Sequence, residues 1–156
     1  MTEMFGDVGQ QVERLSEPIT GECLCGAVKI TVESVAKEVD ICHCDMCRKS
    51  YGNFAAAIAG HSFTIEGRDN VSTYASSPFA ERTFCKTCGS ALWYRFVPTD
   101  FYSFLAGLFE VPDGFSIKQQ IFIEEKPDWY DLVQKSPMKT GAEIIAEAEA
   151  AGISFD

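Results

Sequence analysis

Three cysteines lie within six consecutive positions of the chain, in the run Cys42-His-Cys44-Asp-Met-Cys47. The thiolate is the form of cysteine that binds metal ions and acts as a nucleophile. Zinc sites in proteins usually have four ligands; structural sites are closed by four side chains, whereas catalytic sites keep one position open. The triplet Cys42, Cys44 and Cys47 therefore predicts a zinc site with an open position.

The other four cysteines form two pairs, Cys23-Leu-Cys25-Gly and Cys85-Lys-Thr-Cys88-Gly. Each pair can place two sulfurs on one ion at about 2.3 Å, and the glycine after it suits a turn with positive φ. Together the pairs supply the four thiolates of a closed tetrahedral site. Seven cysteines in a chain of cytosolic type indicate metal or thiol chemistry rather than a disulfide framework.

Other interpretations of the cysteines remain open at this stage. They could be inert buried thiols, although scattered core cysteines have no reason to fall into such groups. The triplet could instead be a second structural site that His43, a carboxylate or a partner's group closes. Thiolate clusters also accept iron, although zinc suits them best.

Short strands and turns must position these groups. Residues 39–44 are predicted to form a strand in which Cys42 and Cys44 point to the same face, since side chains alternate along a strand. A short helix is predicted over 45–51, with Asp45 as its cap. Thr140 has the capping-box spacing to Glu143 that opens a C-terminal helix. Further strands are predicted at 27–33, 54–59, 63–65, 71–74, 82–84, 89–94, 102–108 and 120–124.

Composition narrows the possible functions. A chain of 156 residues with 46% hydrophobic residues suits a single domain, 1–156, with a core over 18–131 and terminal extensions at 1–17 and 132–156. The formal net charge of −10 disfavours binding to nucleic acid, which depends on Lys and Arg contacts to phosphate. Without a signal sequence or an apolar run of about 20 residues, the chain is expected to be cytoplasmic, with no membrane partner. Its oligomeric state is not predicted.

The ordered motifs of the chain resemble the glutathione-dependent formaldehyde-activating enzyme family. They are the segments 21–28, 42–49, 84–92 and 121–129, which follow one another in the family's order. The resemblance implies a mainly β, Mss4-like, zinc-bound fold of short antiparallel strands, here with a short C-terminal helix. It also implies two zinc ions: a structural one on Cys23, Cys25, Cys85 and Cys88, and a catalytic one on Cys42, Cys44 and Cys47.

The activity that the resemblance implies is that of a carbon–sulfur lyase, forming S-(hydroxymethyl)glutathione from formaldehyde and glutathione. The hypothesis is therefore an enzyme that joins glutathione, or a similar thiol, to formaldehyde or a small aldehyde. The alternative is a non-catalytic module that binds glutathione, its adduct or another protein. A related domain occurs in the chromatin-associated centromere protein V, but the acidic charge of this chain argues against that role.

The sequence indicates the residues that contact the substrate less strongly than it indicates the cysteine groups. Arg48 and Lys49 follow the triplet and are predicted to bind the carboxylates of glutathione, although ordinary solvated cations are an equal alternative. Arg82 and Arg95 are weaker candidates for the same contact. Phe109 stands where the resemblance implies an acid; if that acid shapes the pocket, this protein is expected to use another thiol or aldehyde.

Overall fold

β-strands are the main regular structure of the chain, as the alternating apolar and polar residues predict. The computed structural model describes residues 12–155. Within them lie two α-helices, α1 (Asp45–Tyr51) and α2 (Gly141–Ala150). The strands are β1 (Ile19–Glu22), β2 (Lys29–Glu33), β3 (Glu38–Cys42), β4 (Ala55–Gly60), β5 (Ser62–Glu66), β6 (Val71–Ser77), β7 (Ala80–Cys85), β8 (Ala91–Phe96), β9 (Phe101–Leu105), β10 (Ser116–Ile121) and β11 (Met138–Lys139).

The strands form two sheets. β1, β2 and β5 make a three-stranded antiparallel sheet, and the other eight follow the order β11-β10-β3-β4-β9-β8-β7-β6. The predicted mainly β fold with a short C-terminal helix is confirmed. The strands pair antiparallel, as expected, except that β10 runs parallel to both β3 and β11.

The main core packs around β2. The alternation of Val28, Ile30 and Val32 places all three on one face, and each is fully buried. They share a cluster with Phe104 of β9 and with Phe109. Phe109 is therefore a core residue in this chain.

The C-terminal tail belongs to the larger sheet rather than extending from it. Met138 and Lys139 of β11 pair with Gln120 and Ile121 of β10. The predicted capping box at Thr140 is present at the start of α2. The predicted extension over 1–17 falls largely outside the described residues. Neither described helix has the length and apolar character that crossing a membrane requires.

Candidate metal centre and active site

Two tight turns carry the cysteine pairs. The N–H of Gly26 donates to the carbonyl of Cys23 at 3.0 Å, and the N–H of Gly89 donates to the carbonyl of Cys85 at 2.9 Å. Both glycines have positive φ, 79° and 76°, as their position after each pair predicts. The backbone therefore folds around each pair so that both sulfurs can face one point.

These turns bring the four paired sulfurs together. Cys23 Sγ lies 3.6 Å from Cys25 Sγ, which lies 3.7 Å from Cys85 Sγ. With Cys88, all four sulfurs are within 4.8 Å of one another. Four sulfurs at about 2.3 Å from a tetrahedral ion would be about 3.8 Å apart. The four side chains thus fit a closed tetrahedral metal site.

Polar groups around this site donate hydrogen bonds to sulfur. Asn70 Nδ2 donates to Cys85 Sγ at 3.1 Å. Ser90 Oγ accepts from the N–H of Leu24, so its own hydrogen is available to Cys88 Sγ, 3.2 Å away. This hydrogen bond lowers the pKa of Cys88 to about 5. The surroundings therefore stabilise thiolates, the form that binds a metal.

The triplet lies where β3 passes into α1. Cys42 is the last residue of β3, and Cys44 is the N-cap of α1, where its sulfur accepts from the N–H of Cys47 at 3.4 Å. The prediction that Asp45 caps this helix is wrong, because the N-cap is the preceding residue, Cys44. The three sulfurs lie within 4.8 Å of one another, and no imidazole or carboxylate among residues 12–155 joins them.

His43 lies between two of these cysteines but faces away from the sulfurs. Its ring is fully buried, with Nε2 at 2.8 Å from Gln120 Oε1 and Nδ1 at 2.7 Å from the Tyr130 hydroxyl. Since Gln120 Oε1 can only accept, Nε2 carries the proton and Nδ1 accepts from Tyr130. Burial lowers the pKa of His43, so the ring is neutral. Both nitrogens are engaged, and His43 does not close the triplet.

Replacing His43 with phenylalanine should lower the stability of the domain. The ring would fit, but Gln120 Oε1 would remain buried without a donor, at a cost of about 1–3 kcal/mol in the free energy of unfolding. Urea denaturation of the metal-loaded protein would measure this loss. His61→Phe, at an exposed histidine, should stay within about 0.5 kcal/mol of wild type. Equal stability of the two variants would show that the buried network contributes nothing.

The triplet sulfurs cannot all be ionised without a cation. Hydrogen bonds from Cys42 and then Cys47 lower the pKa of Cys44 to about 2. The reciprocal hydrogen bonds with Cys44 and Cys47 raise the pKa of Cys42 well above its usual range. Like charges this close disfavour one another, so one sulfur ionises at the expense of its neighbour. A bound metal cation would compensate the charge of three thiolates.

Arg82 of β7 is the nearest cationic side chain. It is 8% exposed, and its Nη1 lies 3.7 Å from Cys47 Sγ. The guanidinium carbon lies 5.4 Å from the centre of the Tyr51 ring and 5.3 Å from that of Tyr94. Sequence reasoning treated Arg82 as a weak candidate for binding carboxylates, whereas the structure places it against the triplet.

A cavity of about 80 Å³ opens beside the triplet. Since a water needs about 15 Å³ of such space, the cavity can hold a ligand of several heavy atoms. Small side chains leave this room: β4 places alanines opposite Asp40 and Cys42 of β3. The hydroxyl of Tyr51, a wall residue, is buried without a partner among the described residues. The lining includes Cys42, Cys47, Tyr51, Ala55, Ala57 and Tyr94.

The two predicted substrate contacts lie outside this lining. Arg48 donates from Nε to the carbonyl of His43 at 3.0 Å, which leaves its terminal nitrogens for other partners. Lys49 is exposed on the outer side of α1. A role for either residue in binding glutathione stays a prediction.

Comparison with known proteins identifies the family. Residues 18–125 match the sequence model of the glutathione-dependent formaldehyde-activating enzyme. An uncharacterized lyase of Schizosaccharomyces pombe is 34% identical over 127 residues, 80% of this chain and 93% of that protein. A Halomonas elongata protein, provisionally named a glutathione-dependent formaldehyde-activating enzyme, is 30% identical over 150 residues, 85% of this chain and 94% of its own.

A solved structure shares the fold. The crystal structure of a Rhodobacter sphaeroides protein superposes with a TM-score of 0.53 at 24% identity, covering 64% of this chain and 99% of that one. This likeness concerns the fold alone. The family match spans most of the chain and includes all seven cysteines. The chain belongs to the glutathione-dependent formaldehyde-activating enzyme family, whose named members here support lyase-type chemistry.

Proposed function

We propose that the protein is a single-domain, cytoplasmic, zinc-dependent carbon–sulfur lyase. It joins glutathione, or a similar thiol, to formaldehyde or another small aldehyde. The observation that carries this proposal is the open triplet of cysteines at one end of a cavity. A purely structural site needs neither the open position nor the space beside it.

The two cysteine groups take different zinc ions. The four paired cysteines would hold a structural ion, because their sulfurs already have tetrahedral spacing. Cys42, Cys44 and Cys47 would hold the catalytic ion, which when bound supplies an open position where an incoming thiol loses its proton. The rest of the chemistry depends on what the chain places around that position.

The cavity would hold the carbonyl compound next to the thiol. Sulfur attacks the carbonyl carbon, the carbon–oxygen π bond opens, and the proton lost by the thiol ends on the oxygen as a hydroxyl. Holding both reactants in one place replaces a bimolecular encounter, which is the main contribution expected of the protein. The walls of the cavity also limit how large the carbonyl compound can be.

Tyr51 is the side chain best placed to contact the carbonyl oxygen. Its hydroxyl is buried at the cavity without a partner among the described residues. Burial raises the pKa of Tyr51, so the hydroxyl stays protonated and can donate a hydrogen bond. A buried donor without a partner is costly unless a ligand or water satisfies it.

Exchange NMR on ¹³C-formaldehyde with glutathione tests the proposal. The rate of adduct formation and breakdown would be compared without protein and with protein loaded with zinc at both sites. We expect faster exchange that depends on protein concentration. If the loaded protein leaves the rate unchanged for formaldehyde and for other small aldehydes, the lyase proposal is wrong. Saturable glutathione binding without acceleration would then identify a binding module.

Filling the cavity should impair this reaction without removing the metal. Ala57→Leu adds three carbons at a position that lines the cavity and is 8% exposed. The existing space should limit any overpacking, while the carbonyl compound loses its place, so we expect acceleration to fall at least about tenfold. Ala75→Leu, on an exposed part of β6, is the control. Unchanged exchange rates in Ala57→Leu would show that the substrate binds elsewhere.

A further inference from the structure

Among the described residues, 12–155, no carboxylate pairs with the buried guanidinium of Arg82. Arg95, on the neighbouring strand, pairs with Glu81 at 3.0 Å and Asp100 at 2.6 Å. None of the ion pairs among residues 12–155 involves Arg82, and its Nε has no hydrogen-bond partner there. Burying an uncompensated charge costs several kcal/mol, so some anion must offset it.

The sulfurs of the triplet are the anionic groups that Arg82 reaches. Its Nη1 lies 3.7 Å from Cys47 Sγ, within hydrogen-bonding range for sulfur. Arginine is not deprotonated in proteins, even where it is buried. The guanidinium therefore stays charged beside the thiolates.

Two tyrosine rings pack near the guanidinium of Arg82. The ring centres of Tyr51 and Tyr94 lie 5.4 and 5.3 Å from the guanidinium carbon, within the range of cation–π interaction. Both tyrosines line the cavity, whereas Arg82 does not. This arrangement therefore does not provide a direct contact between Arg82 and the substrate. Its charge acts on the cavity through the groups that it contacts, the sulfur of Cys47 and the rings of Tyr51 and Tyr94.

Charge counting shows what Arg82 adds to the triplet. Three thiolates and one divalent ion would carry a net charge of −1, and the guanidinium would bring the total to zero. An incoming thiolate would return the complex to −1, the value that the metal and triplet would have without Arg82. The four-cysteine group with its ion would carry −2, and its hydrogen-bond donors, Asn70 and Ser90, are neutral.

We propose that Arg82 is a positioning residue that neutralises the metal-loaded triplet and prepares it to accept one more anionic sulfur ligand. The proposal rests on the metal site of the proposed function, but it concerns metal and thiol affinity rather than turnover. It predicts that loss of the charge weakens metal binding at the triplet and leaves the four-cysteine site unaffected.

The test compares Arg82→Met, which keeps much of the volume but no charge, with Arg82→Lys, which keeps the charge. Cd²⁺ would be titrated into each metal-free protein against a competing chelator, with ¹¹³Cd NMR to separate the two sites. Outer-shell changes typically cost 10–100-fold in metal affinity, and we expect a loss of about that size at the triplet of Arg82→Met. Arg82→Lys should recover most of it, and the four-cysteine resonance should not change.

Arg95→Met is the matched control, since Arg95 lies on the adjacent strand and pairs with carboxylates. Adding a simple thiol to the Cd²⁺ forms should shift the triplet resonance at lower concentration in wild type than in Arg82→Met. Wild-type affinity of Arg82→Met for Cd²⁺, or equal weakening in Arg82→Lys and Arg82→Met, would overturn the proposal. The Cd²⁺ titrations measure affinity and do not depend on whether the protein accelerates adduct formation. Failure of the lyase proposal would appear in the exchange NMR experiment instead.

Discussion

Cys85→Ser is expected to cause a large loss of stability, with the melting temperature falling by more than about 10 °C. Cys85 ends β7, is fully buried, and lies in the main core cluster as well as in the four-cysteine group. Serine binds zinc poorly, so the site would lose a ligand and the turns that it holds would separate. Because a structural metal contributes its binding energy directly to folding, the whole domain should respond. Scanning calorimetry of the zinc-loaded proteins would measure the change.

The comparison that makes this result informative is removal of metal from wild type. If the four-cysteine group is structural, a chelator should lower the melting temperature of wild type toward that of Cys85→Ser and should affect the variant little. A Cys85→Ser protein that melts within about 2 °C of wild type would contradict the structural role. The zinc content of wild type and of Cys85→Ser should be measured as well, because two proteins without zinc would also melt alike.

Cys44→Ser is expected to remove acceleration of adduct formation by at least about 100-fold, since even outer-shell changes at metal sites cost 10–100-fold. The fold should survive, because serine is among the best N-cap residues and its hydroxyl can replace the sulfur that accepts from the N–H of Cys47. Exchange NMR on ¹³C-formaldehyde with glutathione gives the rate, and circular dichroism confirms the helix and sheet.

The position of Cys44 at the N-cap of α1 allows a control that separates loss of the ligand from loss of stability. Cys44→Ala removes both the ligand and the cap, and should be less stable than Cys44→Ser by about 1 kcal/mol while equally inactive. If Cys44→Ser accelerates exchange as well as wild type, the chemistry does not lie at the triplet. Retained metal in the four-cysteine group of both variants would show that the two sites are independent.

Much of the site could be predicted because its ligands come in local groups. The spacing of Cys23 with Cys25, and of Cys85 with Cys88, dictates turns that point two sulfurs at one place, with a glycine at the required positive φ. The range of α1, Asp45–Tyr51, was also predicted correctly. Short-range geometry of this kind depends on a few residues, so tertiary packing has little opportunity to override it.

The residues that surround the triplet could not be predicted in this way. Arg82 is 35 positions from Cys47, and it reaches the sulfur only because it pairs with Tyr94 across β7 and β8. His43 gave no sign that it would contact Gln120 and Tyr130. Such contacts depend on strand order and register, which periodicity along one segment does not encode.

The boundaries of β10 show a second limit. Aromatic and β-branched residues predicted a strand over 120–124, but the strand is Ser116–Ile121. Phe122 takes a left-handed conformation with φ of 54°, which ends the strand, and Ile123–Glu125 forms a short 3₁₀ turn. Intrinsic preference for extended structure was overridden there by the bend that brings Tyr130 back toward His43.

The parallel pairing of β10 with β3 bears on the order in which the surroundings of the two cysteine groups can be completed during synthesis. The four paired cysteines are all available once the chain has emerged past Cys88. The strand that ends in Cys42 gains its second neighbour only when β10 has been made, and His43 gains its partners only with Gln120 and Tyr130. Contacts of such large sequence separation form late, because their loop-closure entropy must be overcome first. In a nascent chain the four paired cysteines can therefore come together before the surroundings of Cys42, Cys44 and Cys47 are complete.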